Sequence, residues 1–449
     1  MSGIFGINNS TGVALDGLAY AALHALQHRG QDGAGVSVSN GETIRYEKDL
    51  GVVDHALPAE KLKKFADGKL LLGHVRYSPT SDAGNGMNTE PVVVTGEDGP
   101  YAACHNGKIL NSETLRKKLQ QKGALFQTGT DSELLLYMIA IDTHTPLIDR
   151  IKAAMAELAG AYSFAVISKD KLIGIRDPWG IRPLCIGMVE GNYVLASESC
   201  AINALSGTIV RDVLPGEIVV IDENGITSHQ TPVKDENNRL CVFEYVYYAR
   251  SDSVMDEASV FDARFRMGGI LADMLATDAD VVSGVPDSGV PAAIGYAHRS
   301  GIPYTQALIK NPYSGRTFIQ PGQLEREQAV RLKLTPVASQ VKGKRVVLVD
   351  DSIVRGTNLL LLVRMLRAAG AKEVHVRITS PQVMAPCLYG IDTPNSQSLI
   401  GANMDIAAVC KAIEADSLVH LDLDSLRKSV SNHPGYCTAC FNYDYPVTI

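Results

Sequence analysis

Long apolar runs, a basic excess and a dense set of cysteines are all missing from this chain. No apolar stretch approaches the roughly eighteen residues of a membrane helix, so no membrane partner is expected. The opening Met-Ser-Gly-Ile-Phe-Gly lacks the basic start of a secretion signal, which makes the cytosol the default compartment. With 42 Lys and Arg against 49 Asp and Glu the formal charge is −7. That argues against broad nucleic-acid binding and leaves only local basic patches open. Eight cysteines in 449 residues do not make a disulfide framework. In a reducing compartment they point to free thiols or metal ligands. No internal repeat or low-complexity tract stands out.

What is present is the composition of an ordinary globular protein, 45% hydrophobic and 20% charged, in a chain long enough for two domains. From residue 1 to about 230, short strands mix with helices. Strands are expected at Ile4–Ile7, Gly35–Val38, Leu70–Val75, Tyr101–His105, Ser163–Ile167 and Tyr193–Ala196, and helices near 16–28, 113–122, 132–142 and 147–158. The polar stretch 231–240 has no apolar period and is the best linker. Beyond it, in 241–449, the rhythm becomes strand, turn, helix: Asp280–Ser283 then a helix toward His298, and Val346–Val349 then a helix to about Ala369, capped by Gly370. Such alternation implies a parallel sheet, with ligands gathered at the carboxyl ends of its strands.

The most informative run is Val346-Val347-Leu348-Val349-Asp350-Asp351-Ser352-Ile353-Val354-Arg355-Gly356-Thr357-Asn358. Four apolar residues form a buried strand, two carboxylates end it, and a loop of hydroxyls and glycine opens a helix. A helix N-terminus offers unpaired N–H groups to a phosphate, Gly356 permits close approach, and Ser352 and Thr357 add donors. The paired acids suit ribose hydroxyls or a hydrated Mg²⁺. Gly284-Val285-Pro286-Asp287-Ser288-Gly289 repeats the strand-to-helix design. An anionic substrate needs clustered cations, for which Lys310, Arg316, Arg326, Arg331, Lys333, Lys344, Arg345 and Arg355 are the candidates. Cys437-Thr438-Ala439-Cys440 can place two thiolates on one metal, though spacing alone leaves zinc and iron–sulfur equally open.

These segments resemble two known families joined end to end, and the whole chain resembles the amidophosphoribosyltransferases. The fold implied is an α+β N-terminal-nucleophile sandwich of the class II glutamine amidotransferases, followed by an α/β type I phosphoribosyltransferase domain. The implied reaction moves ammonia, from glutamine or free, to C1 of phosphoribosyl pyrophosphate (PRPP), a pentosyl transfer that opens purine synthesis. In the front half the motifs are His28-Arg29-Gly30-Gln31-Asp32-Gly33, His74-Val75-Arg76-Tyr77-Ser78, Asn106-Gly107 and Thr130-Asp131-Ser132-Glu133. The resemblance assigns Arg29, Arg76 and Asp131 to glutamine binding, and Asn106 with Gly107 to the oxyanion hole. It expects cysteine as nucleophile at position 2, where this chain has Ser2. A hydroxyl has almost no anionic form at neutral pH, so impaired glutamine hydrolysis with ammonia use retained is the expectation.

For PRPP the resemblance implies Asp287, Ser288, Gly289, Asp350, Asp351, Ser352, Val354, Arg355, Gly356 and Thr357, with Ser288, Asp350 and Asp351 holding Mg²⁺. Residues 310–320, carrying Lys310, Tyr313 and Arg316, resemble the family's lid. Phe243–Ser253 resembles the segment near the interdomain passage for ammonia, although an aromatic stripe is more often plain core. Cys241, Cys387, Cys437 and Cys440 match the branch that carries a [4Fe–4S] cluster, which tips the metal from zinc to iron–sulfur. Cys104, Cys185, Cys200 and Cys410 sit in apolar runs as packing residues. A homotetramer restrained by purine nucleotides is implied as well. Two other readings compete: a PRPP- or nucleotide-sensing regulator whose chemistry is dead, and another class II amidotransferase sharing only the front half.

Overall fold

The computed structural model describes residues 1–78, 84–232, 238–313, 330–431 and 435–448. Its N-terminal half is built from two antiparallel sheets. One runs, edge to edge, Thr208–Asp212, Cys185–Val189, Asn192–Ala196, Gly3–Asn8, Leu70–Arg76, Gly33–Ser39 and Ile44–Leu50. The other runs Gly225–Gln230, Glu217–Asp222, Leu172–Arg176, Gly160–Ile167, Gly99–Ile109 and Val92–Gly96. Ile4, Leu72, Ala165, Leu172, Leu195 and Val219 fill the layer between the sheets. Period-two alternation sends the neighbouring residues outward, where Phe5 and Val36 meet helix Leu15–Ala25, and Tyr162 and Phe164 meet helix Asp131–Ala140. The result is helix, sheet, sheet, helix.

The expected helices at 113–122, 132–142 and 147–158 are observed as Ser112–Gln121, Asp131–Ala140 and Leu147–Glu157. The one expected over 16–28 ends at Ala25 and tightens into a single turn at Gln27–Arg29. There the chain must fold back, because Gly30 lies so close to the strand ending at Arg76 that a methyl group would stand 2.4 Å from the Arg76 carbonyl.

The second half carries a four-stranded parallel sheet, ordered Val281–Gly284, Arg345–Asp350, Glu373–Ile378 and Ser417–His420. The strand Arg345–Asp350 is apolar on both faces through Val346–Val349, as a central strand covered on each side requires. Val347 and Val349 face helices Val260–Met274 and Gly289–Ser300, while Val346 and Leu348 face helix Thr357–Ala368. Leu240–Cys241, at the end of the expected linker, already pairs in parallel with Tyr436–Cys437. Linker residues 233–237 lie outside the described residues. Among the described residues, no helix is long and apolar enough to cross a membrane.

Candidate active site

Strand Arg345–Asp350 delivers its acid pair to the floor of a cavity of about 1130 Å³. Ser288 Oγ donates to Asp351 Oδ2 at 2.7 Å, Ser352 Oγ donates to Oδ1 at 2.5 Å, and the Asp351 N–H donates to Asp350 Oδ1 at 2.9 Å. Burial and then the neighbouring Asp351 charge push the Asp350 carboxyl far above its ordinary range. Burial also raises Asp351, against the hydrogen bonds from Ser352 and Ser288. Two acids that resist ionising together favour a bound cation.

The loop after the pair follows its sequence logic. Gly356 has φ of 79° and precedes helix Thr357–Ala368, whose first turn has no side-chain cap and so presents free N–H groups. Gly289 opens the neighbouring helix so near the acid strand that a methyl there would stand 2.5 Å from the Val349 carbonyl oxygen. Asp287, Ser288, Lys310, Lys333, Ser352, Val354, Arg355 and Thr357 line the cavity, and Lys310 Nζ pairs with Asp287. Tyr313 is 96% exposed. Arg316 and Arg326 lie outside the described residues. Arg345, by contrast, starts the strand at the end away from the acids, where it is bound to Asp278 and Asp280. It is therefore no part of this site.

The second site lies in the N-terminal sandwich. Ser2, at the start of strand Gly3–Asn8, donates its N–H to Asn106 Oδ1 at 3.1 Å, and its Oγ accepts from the Tyr77 N–H at 3.3 Å. Asn106 Nδ2 is buried and makes no hydrogen bond. A buried amide donor beside a nucleophile position is what an oxyanion hole requires. Gly107 follows with φ of 141°, and a methyl there would stand 2.0 Å from the Ala161 oxygen, so the strand accepts only glycine. Asp131 begins helix Asp131–Ala140, and its Oδ2 accepts from the Ile109 N–H at 2.9 Å. Arg76 is buried and donates to the Asn85 carbonyl at 2.6 Å.

Three neighbours carry no signal in their sequence spacing. His105 Nε2 is buried without a hydrogen bond, 4.0 Å from Asp131 Oδ2. Burial drives His74 and His105 down to about 3, so both are neutral. Burial pushes the Glu90 carboxyl up to about 7.

Arg29 departs from its expected role. Its Nε donates to the Ser2 carbonyl at 3.0 Å, and its Nη atoms hold Glu198 and both oxygens of Glu244, at 3.0 and 2.9 Å. Each nitrogen already serves a protein acceptor, so this buried side chain anchors residue 2 to the second half rather than facing a ligand. Glu198 also takes His28 at 2.7 Å and Ser253 Oγ at 2.8 Å. Despite burial, His28 and Arg29 hold its carboxyl well below the usual range. His28, Glu198 and Cys200 have ligand atoms within 4.8 Å of one another, but with that carboxylate so engaged the set is an ion network.

Cys241 and Cys437 are register partners, Cys440 begins the turn after Cys437, and Cys387 comes in on a loop whose Met384 and Ala385 N–H groups donate to the Cys440 carbonyl. All four line one end of the cavity. Burial raises the Cys241 thiol to about 12 and pushes Cys437 and Cys440 higher, so these thiols stay protonated unless a metal takes the proton's place. Cys104 and Cys185 are buried against backbone carbonyls, as packing residues should be.

Residues 76–204 match the glutamine amidotransferase domain family, and residues 252–379 match the phosphoribosyl transferase domain family. The amidophosphoribosyltransferase of Methanocaldococcus jannaschii is 45% identical over 466 residues, covering 100% of this chain and 98% of its own. That of Synechocystis is 45% identical over 454 residues, covering 100% and 91%. Among solved structures, the glutamine PRPP amidotransferase of B. subtilis, complexed with ADP and GMP, superposes with a TM-score of 0.92 at 42% identity, covering 100% of this chain and 98% of its own.

Proposed function

The chain belongs to the amidophosphoribosyltransferases, pentosyltransferases of the first step of purine synthesis, and from that premise we propose how its residues divide the reaction. The single observation that carries the proposal is the acid pair Asp350–Asp351, closed by Ser288 and Ser352 on the floor of a cavity bordered by an uncapped helix start. Asp287, Ser288 and Gly289 cradle pyrophosphate. Ser352, Val354, Arg355, Gly356 and Thr357 surround the 5-phosphate, with N–H groups and hydroxyls as donors. Lys310 and Tyr313 close over the bound sugar and exclude water. Ser288, Asp350 and Asp351 would hold Mg²⁺, which would supply positive charge to stabilise the departing pyrophosphate. Ammonia attacks C1 of the ribose, pyrophosphate leaves, and 5-phosphoribosylamine forms.

In the front half, residues 1–230 joined through 231–240 to 241–449, Arg76 and Asp131 take the α-carboxylate and α-amino group of glutamine. Asn106 Nδ2 and the Gly107 N–H meet the oxyanion, and Arg29 holds Ser2 in place. Ser2 makes hydrolysis slow, because its hydroxyl depends wholly on a base where a thiol supplies some thiolate unaided. Ammonia-driven synthesis remains.

Cys241, Cys387, Cys437 and Cys440 would hold a [4Fe–4S] cluster. Cys241 and Cys437 as register partners, with all four cysteines lining one end of the cavity, support the reading. The cluster's role here is to tie the 387 loop to the two chain segments carrying the other cysteines. Purine nucleotides, homotetramer formation and a cytosolic setting complete the proposal; the B. subtilis relative was solved with ADP and GMP.

The test compares phosphoribosylamine formation from PRPP and Mg²⁺ with glutamine and with ammonium salt, before and after Ser2→Cys. Turnover with ammonia in both proteins, and a glutamine rate that rises only in Ser2→Cys, is the expected result. Failure to consume PRPP with any nitrogen donor would favour the sensing regulator, and equal glutamine rates in the two proteins would remove the role given to Ser2.

A further inference from the structure

Arg182 touches neither set of proposed substrate-binding residues, yet it is fully buried between the two halves. Its Nε and Nη2 both donate to the Tyr389 carbonyl, the Nε bond being 3.1 Å. The third nitrogen, Nη1, makes no hydrogen bond and stands 3.9 Å from Glu244 Oε1. Tyr389 is held from its other side too, since its N–H donates to Cys387 Sγ at 3.3 Å. The next residue, Gly390, has φ of 100° and lies against Gly107: a methyl group on Gly390 would stand 2.7 Å from the Gly107 carbonyl oxygen and 2.9 Å from its carbon.

A closed circuit results. From the Ser2 carbonyl it passes to Arg29, from Arg29 to Glu244, across to Arg182, on to Tyr389 and Gly390, then to Gly107, and through Asn106 back to the Ser2 N–H. Residues 2 and 107 flank the oxyanion position, and both are tied through one buried carboxylate of the second half. A donor 1 Å out of place no longer meets the developing charge, so whatever fixes the Tyr389–Gly390 turn fixes catalysis.

We propose that Arg182 is a positioning residue for the glutaminase reaction: its fork clamps the Tyr389–Gly390 turn against Gly107 and so sets the oxyanion donors, with Glu244 coupling the same clamp to Ser2. This rests on Gly107 serving the oxyanion, as proposed above. Lysine at 182 keeps the charge but cannot give two bonds to one carbonyl, whereas a methyl at 390 pushes Gly107 directly.

The test uses the full-length metal-loaded protein with Arg182→Lys and, separately, Gly390→Ala. Hydrogen exchange read by mass spectrometry is expected to speed up about tenfold at amides 105–109 in both variants, with strand Gly33–Ser39 and the visible iron–sulfur absorption unchanged. In a Ser2→Cys background, glutamine-driven kcat should fall about 100-fold with KM little altered, and ammonia-driven synthesis should persist. Unchanged exchange at 105–109 in Arg182→Lys, or equal loss with glutamine and ammonia, overturns the proposal. A Ser2→Cys chain inert toward glutamine would instead defeat the glutaminase assignment, while the exchange experiment still decides whether Arg182 holds the strand.

Discussion

The two candidate sites of this molecule solve opposite electrostatic problems. In the N-terminal half the strongest charges are already paired within the protein: Arg29 with Glu198 and Glu244, Glu198 with His28. The unpaired atoms nearest residue 2 are small and directional, among them an amide donor on Asn106 and a ring nitrogen on His105. In the C-terminal half two adjacent carboxylates, one of them held by two hydroxyls, border an open cavity, and cations line its wall. The first site is built to hold a neutral amide still. The second is incomplete until a highly charged ligand and its metal arrive. Preorganisation against charge matching is the lesson of the contrast.

The largest effect that could break this comparison comes from the acid pair. Asp350→Asn with Asp351→Asn should cut phosphoribosylamine formation about 1000-fold or more with glutamine and ammonia alike, since both nitrogen donors share one PRPP site. A loss confined to glutamine would merge the two sites into one. Next, Asn106→Ala in a Ser2→Cys chain should lower the glutamine-driven rate about 100-fold and spare the ammonia-driven rate. An equal fall in both would mean that Asn106 supports the fold rather than the oxyanion.

Titration sharpens the same contrast. His74 and His105 have folded values of about 3 against an ordinary 6.5, so the unfolded chain binds more protons between those limits. The stability they contribute is complete above pH 6.5 and is lost as pH falls toward 3, at about 1.4 kcal/mol per pH unit for each group. Asp350 and Asp351 are shifted up, so their contribution has the reverse sign: present in acid, lost as pH rises through their folded values. From pH 6.5 to 5 the urea midpoint of the unaltered chain should fall relative to that of His105→Gln, and Mg²⁺ with PRPP should protect chiefly at neutral and higher pH. The smallest expected effect is that of Gly356→Ala. Strain at φ of 79° and a 2.9 Å approach to Ile400 should cost about 1 to 3 kcal/mol, read as a lower Tm and weaker PRPP binding.

Much of the transferase site was legible in the sequence because it is local. Within thirteen consecutive residues, Val346 to Asn358, the strand, the acids, the glycine and the helix start all appear in order, and the structure adds only two residues to the strand. The N-terminal site was legible only as scattered motifs, since its parts come from three separate strands, a turn and a helix. Their membership could be named, but not their partners. Arg29 shows the limit: the motif suggested a ligand contact, whereas Glu244, some 215 residues away, claims the guanidinium. Glu244 left one trace, a lone acid inside the apolar run Phe243–Tyr248.

Composition, periodicity and contiguous motifs settled that this chain holds a sandwich and a parallel sheet, and where the second keeps its acids, because those features depend on residues adjacent along the backbone. The buried circuit from Ser2 through Glu244 and Arg182 to Gly107, and the meeting of four distant cysteines, were decided by the folded molecule alone. Charges far apart in the chain choose their partners by burial, where an unpaired ion is costly, and sequence spacing carries no record of that choice.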